Sequence, residues 1–220
     1  MTRTITVKGV GSVSAKPDYI TLSLSVQTTH KEHDKAMKEA DRRVNLLEKA
    51  AKSLGFEEGS LKTLQFNVNT EYNYVSHKNG NSQRLFLGYQ CLYRLKLSFD
   101  FDQKRLSDVL SAIANSGANP ELNISFTVKH PEQIRAELLA SAADNAREKA
   151  EILCRASGVE LGQLITINYN WGELNVVSTT HLQTEDCFCD IFREFDRSSA
   201  KMQPDDINLK DSAAFVWEIK

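Results

Sequence analysis

The sequence predicts an α+β protein whose sheets are mostly antiparallel. Three observations carry that expectation. Apolar and polar residues alternate with a period of two in several long runs, such as Ile20-Thr21-Leu22-Ser23-Leu24-Ser25-Val26, the pattern of a half-buried strand. Other runs space their apolar residues three and four apart, as an amphipathic helix does. The runs follow one another as strand, strand, helix, strand, strand, helix, strand, helix, strand, strand (ββαββαβαββ). That order gives about seven strands, four of them in apparent hairpins, and three helices packed on them. It lacks the regular alternation of a doubly wound parallel sheet.

The first strand opens with Ile5 and Val7, and Gly9 and Gly11 interrupt it. Glycine inside a strand marks a bulge or a close approach of another backbone. A positive φ is expected at Gly11, so that valine there would be strained. Lys16-Pro17-Asp18 reads as a turn, because proline presets its own φ and aspartate bonds nearby backbone. The second strand runs from Ile20 to Val26. Met37, Ala40, Val44, Leu47, Ala51 and Leu54 then form one stripe of a helix over about 30–54, stopped by Gly55.

A long antiparallel ribbon over about 61–99 follows, with Leu64, Phe66, Val68, Tyr72 and Tyr74 on one face of its first arm. Asn79-Gly80 supplies the hairpin turn. Leu106, Val109, Leu110 and Ile113 face inward from a second helix over 102–116. Leu122, Ile124, Phe126 and Val128 alternate as a strand. Pro131 opens a third helix that runs to about Ser157, since proline is tolerated in the first helical turn. Its stripe of Leu139, Ala142, Ala146, Ala150 and Leu153 is narrow, and small side chains let a helix lie close to its neighbour. A strand from Leu164 towards Trp171 and a last one over 213–219 close the order. The expectation is one domain over 1–220 with an irregular insertion over 172–204 that is either mobile or interface-forming.

The 27 basic and 29 acidic residues leave a net charge of −2. That balance gives no electrostatic footprint for nucleic acid and none for a charge-driven membrane role. No run of apolar residues reaches the length of a membrane-spanning helix. The first strand begins a few residues after Met1, which leaves no room for a leader peptide, so a cytoplasmic location is expected.

The search for chemistry finds no phosphate-binding glycine loop opening a helix and no nucleophile elbow. His30 and His33 stand three apart at the start of the first helix, on one face, as two metal ligands would. Cys187 and Cys189 are separated by one residue, closer than the usual zinc spacing, and read as loop thiols. Cys91 and Cys154 read as small buried apolar groups. Phe66, Tyr72 and Tyr74 with Arg84, Arg94 and Lys96 would suit a single-strand nucleic-acid platform, but without a basic excess they read as core or subunit interface. No catalytic residues and no cofactor are expected.

In order and spacing, Ile5-Thr6-Val7-Lys8-Gly9-Val10-Gly11-Ser12-Val13, Lys16-Pro17-Asp18, Leu61-Lys62-Thr63-Leu64-Gln65-Phe66 and Gly88-Tyr89 resemble the SIMPL-domain family. So do Ala142, Ala146, Lys149 and Ala150 followed by Gly158, Val159, Leu161 and Gly162. The family is named after a protein that interacts with a pelle-like kinase. The resemblance implies an α+β fold, no agreed reaction and no catalytic residues to carry over. Gly9, Gly11, Pro17, Asp18, Gly88 and Tyr89 match as fold determinants. It also implies assembly into homo-oligomers, and export for many bacterial members, from which this sequence departs at its start.

The function expected is therefore a non-enzymatic interaction or self-assembly module with an unidentified protein partner. The interface is expected at Tyr72, Tyr74 and Phe86 of the ribbon and at Phe188, Phe192 and Phe195 of the insertion. The alternative is a small-molecule or metal-binding, enzyme-like protein using His30 and His33 or Cys187 and Cys189.

Overall fold

A computed structural model describes residues 3–76, 82–170, 174–184 and 203–220. Among them are three helices and eight strands: β1 (Thr4–Ala15), β2 (Tyr19–His30), α1 (His33–Ser53), β3 (Lys62–Ser76), β4 (Ser82–Asp100), α2 (Gln103–Asn115), β5 (Glu121–Thr127), α3 (Pro131–Ala156), β6 (Leu161–Tyr169), β7 (Val177–Thr184) and β8 (Ile207–Ile219). The class is α+β with two antiparallel sheets. By its contacts the chain divides into two compact units, one of Met1–Asp18, Thr127–Thr179 and Pro204–Lys220, the other of Tyr19–Phe126 and Thr180–Gln203.

The first unit is built on a sheet of order β1-β8-β6. β1 pairs with β8 over its whole length, from Thr4↔Glu218 to Ala15↔Ile207. Helix α3 lies on β1 with Leu138, Ala142, Ala146 and Ala150 buried at its contact face. Val7, Phe215 and Trp217 pack against Ala146 and Ala150. The fit depends on the two glycines of β1. A Cβ on Gly9 would stand 2.0 Å from the Ala142 carbonyl oxygen, and one on Gly11 would stand 2.1 Å from that of Leu138. The glycines admit the main chain of α3 where any side chain would hold it off. Neither has a positive φ, so the expected left-handed backbone at Gly11 is absent and close approach takes its place.

Because β1 is the margin of its sheet, half of its backbone groups have no strand to bond. Polar side chains of α3 take that place. Asn145 Oδ1 accepts from Val10 N at 3.0 Å, Ser141 Oγ accepts from Ser12 N at 3.3 Å, and Lys149 Nζ donates to Lys8 O at 3.2 Å. A covered edge cannot recruit a foreign strand.

The second unit holds the sheet of order β3-β4-β2-β5-β7. Ile20, Leu22, Leu24 and Val26 of β2 pack with Leu95, Leu97 and Phe99 of β4 and with Phe126 of β5, beneath Leu47 of α1 and Leu106, Val109, Leu110 and Ile113 of α2. These are the residues that the two periodicities select. Asp102 caps α2, its Oδ1 accepting from Arg105 N at 2.6 Å.

Three further details depart from the sequence expectation. β1 and β2 are not a hairpin: β2 pairs with β4 from Tyr19↔Asp100 to His30↔Tyr89, while β1 pairs with β8. The Lys16-Pro17-Asp18 link passes between sheets. Within the first unit, Asp18 N donates to Thr127 O at 3.1 Å, and Asp18 Oδ1 accepts from Lys129 N at 2.7 Å. Second, β7 is an eighth strand inside the stretch expected to be irregular. Its Val-Ser-Thr-Thr sequence lacks apolar alternation, and buried Ser178 satisfies its hydroxyl by donating to Asp205 O at 2.7 Å. Third, His30 ends β2 and α1 begins only at His33. The Asn79-Gly80 turn lies outside the described residues.

Candidate interaction surface

The ribbon of β3 and β4 outruns its sheet. β2 stops at His30↔Tyr89, and from Glu71↔Gly88 to Ser76↔Ser82 the two arms pair, among the described residues, with each other alone. Gly88 sits where β2 ends, at φ +154°, and a Cβ there would meet His30 O at 2.6 Å. The register shifts between Glu71 and Tyr72 and leaves Leu87 without a partner. Such a bulge adds local twist to the ribbon.

Beyond that point the side chains form a chain of ring contacts. The His33 ring meets Tyr89 edge-on at 5.4 Å, Tyr89 meets Phe86 at 5.4 Å, and Phe86 meets Tyr72 at 5.5 Å. The Arg84 guanidinium lies 3.6 Å over the Tyr72 ring. Each aromatic pair contributes about 0.5–1.5 kcal/mol beyond its area, and Tyr89 anchors the series on the buried cluster of Ala36, Ala40 and Cys91. These contacts leave apolar surface in water: Leu85 is 52% exposed, Phe86 41% and Leu87 39%. Aromatic and arginine side chains gathered on exposed apolar surface are the composition of a binding interface.

Tyr74 takes its place in the ladder opposite Arg84. Phe188, Phe192 and Phe195 lie outside the described residues, as do Cys187 and Cys189. The sequence reading missed His33 and Leu87 as part of this surface. Arg84 and Phe86, two apart on one strand, share a face, and that spacing was the legible signal.

The histidines do not form the pair that their spacing predicts. His30 Nδ1 accepts from Glu32 N at 2.9 Å, while the His33 ring is turned onto Tyr89 with Nδ1 3.3 Å from Asp34 Oδ1. A strand residue and a helix residue do not share a helical face. Among the described residues no three His, Cys, Asp or Glu side chains gather as a metal site would need.

The perturbed groups nearby have structural partners. Burial, and then the hydrogen bond to Asp41 Oδ1 at 2.8 Å, push the Tyr93 phenol up to about 12. Burial likewise raises the Cys91 thiol. Hydrogen bonds from Arg42 and Arg43, at 2.8 and 3.0 Å, bring Glu39 down to about 2.

The fold and this surface together define an α+β protein of two antiparallel sheets with an aromatic ribbon end. The chain belongs to the SIMPL family, described as a protein of unknown function (DUF541), which matches residues 5–214. The 26 kDa periplasmic immunogenic protein of Brucella melitensis is 27% identical over 74% of this chain, and the match spans 65% of that protein's length. The uncharacterized protein YggE of Edwardsiella ictaluri is 26% identical over 76% of this chain and 67% of its own. YggE of Escherichia coli is 23% identical over 76% of this chain and 65% of its own. A crystal structure of an uncharacterized conserved protein from Listeria innocua covers 96% of this chain and 92% of that one at 7% identity, but its TM-score of 0.22 carries no argument.

These relatives overturn the expected cytoplasmic location. Those from Brucella are named as periplasmic proteins, and the place where the present sequence starts does not outweigh that. Among the described residues no helix is long and apolar enough to cross a membrane.

Proposed function

We propose that this protein is an interaction and self-assembly module without a catalytic role, and that it works outside the cytoplasm. The observation that carries the reading is the aromatic ribbon end, where Tyr72, Phe86 and Tyr89 stack in sequence with Phe86 exposed, while Leu85 stands exposed on the ribbon's other face. Such a patch on a two-stranded ribbon gains its full burial only against another surface, and burying apolar area yields roughly 25 cal/mol per Å². A second copy of the chain is the simplest surface to meet it. The external location rests on the periplasmic names of the Brucella relatives.

Light scattering across micromolar concentrations tests the assembly. The expected result is a mass at a multiple of 24.8 kDa that Phe86→Lys lowers while the circular dichroism spectrum stays the same. A mass of one chain at every concentration overturns the reading. Fractionation of the native cell tests the location, and recovery in the cytosol alone refutes it.

A further inference from the structure

We propose that the outer face of the sheet in the second unit, at Lys62, Arg94 and Lys96, binds an acidic polysaccharide, a polymer of sugars that carry carboxylate groups. The proposal does not depend on the self-assembly reading and uses a surface apart from the ribbon end.

In β2, β3 and β4 successive side chains point to opposite faces of the sheet. One face carries Leu24, Leu95 and Leu97, in the core with α1 and α2. The other carries Lys96, set against Lys62 of β3 and Ser23 of β2, and Arg94, set against Gln65 and Ser25. Lys62 and Arg94 are exposed and Lys96 is half-buried. Facing residues stand about 5 Å apart at Cβ, and residues two apart on one strand about 7 Å, so the three cations form one patch. Among the described residues none of their charged groups has an ion-pair or hydrogen-bond partner.

That arrangement is unfavourable by itself. Like charges directly opposite each other destabilise an antiparallel pair, and no acid on these strands offsets them. β2 has none. The acid of β4 is Asp100, four residues beyond Lys96, or about 13 Å at the usual strand rise, past the screening length of about 8 Å at physiological salt. Glu71 of β3 lies six residues past Gln65. Glu58, in the loop before β3, pairs with Lys52 at 3.5 Å, and Glu121 opens β5, two strands from β4. An uncompensated local conflict of this kind is expected at functional sites, and an anion is the ligand that relieves it.

The surroundings of the cations select the class of anion. Ser23, Ser25, Gln65, Asn67 and Ser98 share the face, and their hydroxyl and amide groups both donate and accept hydrogen bonds, as sugar hydroxyls require. Single-stranded nucleic acid needs rings to stack on, and the sequence places Phe66 beside these cations. The structure turns Phe66 to the other face, where it meets the Tyr93 ring at 4.5 Å. A bilayer needs apolar or aromatic side chains to enter it, and of the outward positions on β2 from 21 to 27 and on β4 from 92 to 98, Leu92 alone is apolar. A sheet face is flat, which suits an extended polymer better than a single small anion.

Fluorescently labelled polygalacturonate, a linear polymer with one carboxylate on each sugar, tests the proposal by anisotropy on the full chain at low salt. The expected result is saturable binding that weakens as salt is added and that neutral dextran does not displace. Replacing Lys62, Arg94 and Lys96 together by glutamine is expected to weaken it about tenfold, while Lys38→Gln, exposed on α1, leaves it unchanged. The triple variant should unfold at the same temperature as the parent or higher, because the repulsion is gone. Arg94→Glu, a single reversal at an exposed position, should weaken binding as well. Absence of binding at low salt, equal binding by the triple variant, or displacement by dextran overturns the proposal. Binding of a single-stranded DNA oligomer or of phosphatidylglycerol vesicles as tight as that of polygalacturonate also overturns it, because the face would then recognise negative charge and not sugar. Light scattering decides the self-assembly reading separately, so either can fail alone.

Discussion

Adding one methyl group at Gly9 or Gly11 tests the contact on which the first unit is built. On Gly9 the new Cβ meets Ala142 O at 2.0 Å and Ala146 Cβ at 2.7 Å; on Gly11 it meets Leu138 O at 2.1 Å and Ala142 N at 2.9 Å. Main-chain atoms cannot turn aside by a change of rotamer, so α3 must lift by about 1 Å, and forced overpacking of this kind costs about 1–3 kcal/mol. The lift also stretches the bonds of Val10 N to Asn145 and Ser12 N to Ser141, now 3.0 and 3.3 Å, each contributing about 0.5–1.5 kcal/mol. A stiffer unfolded chain returns about 0.4–1 kcal/mol. The net loss is about 2–3 kcal/mol for either alanine, or a fall in Tm on the order of 5–10 °C for a chain of this size. The double variant should cost less than the sum of the two, because a helix already lifted by one methyl accommodates the second. Urea and thermal unfolding followed by circular dichroism measure all three, with Lys16→Ala as an exposed control. If either alanine leaves stability within about 0.5 kcal/mol of the parent, close approach is not what the glycines provide.

Two pH-dependent outcomes follow from the partners of α1. The Tyr93 phenol, raised from 10.0 to about 12, keeps its proton in the folded chain where the unfolded chain has lost it. Its contribution is therefore complete below pH 10 and disappears as pH rises through 12. Tyr93→Phe should remove that alkaline loss and, by deleting the bond to Asp41, cost about 1 kcal/mol at neutral pH. Urea midpoints between pH 8 and 12 measure both effects, and an alkaline loss of the same size in the variant refutes the assignment. Glu39, lowered from 4.5 to about 2, acts in the opposite sense. Its contribution is present above pH 4.5 and is lost as pH falls through 2. Glu39→Gln should flatten that part of the acid limb, while its effect at pH 7 is small and fades with added salt. An acid limb identical in parent and variant would sink this one.

Sequence alone determined the class and the local elements apart from β7, which has no apolar alternation. Period-two alternation marked β2, β5 and the ribbon arms, and three-and-four spacing marked α1, α2 and α3. These signals survive because burying one face of an element imposes its own geometric period on the chain. The family was legible for a related reason. Gly9, Gly11, Gly88 and the alanines of α3 are places where backbones approach too closely for larger side chains, so their types and spacing mark the sequence directly. The tertiary structure decided which element meets which. β1 and β2 have the patterns of two hairpin strands, yet they lie in different sheets, since alternation says which face of a strand is buried and nothing of its neighbour. His30 and His33 have helical spacing, yet a strand end falls between them. Leu164, Ile165 and Ile167 read simply as strand residues, yet they are about half exposed on the marginal strand β6, while the margin at β1 is covered by side chains more than a hundred residues away. Whether a strand is central or marginal depends on its neighbours across the sheet, and that information is spread over distant parts of the chain rather than written in the strand itself.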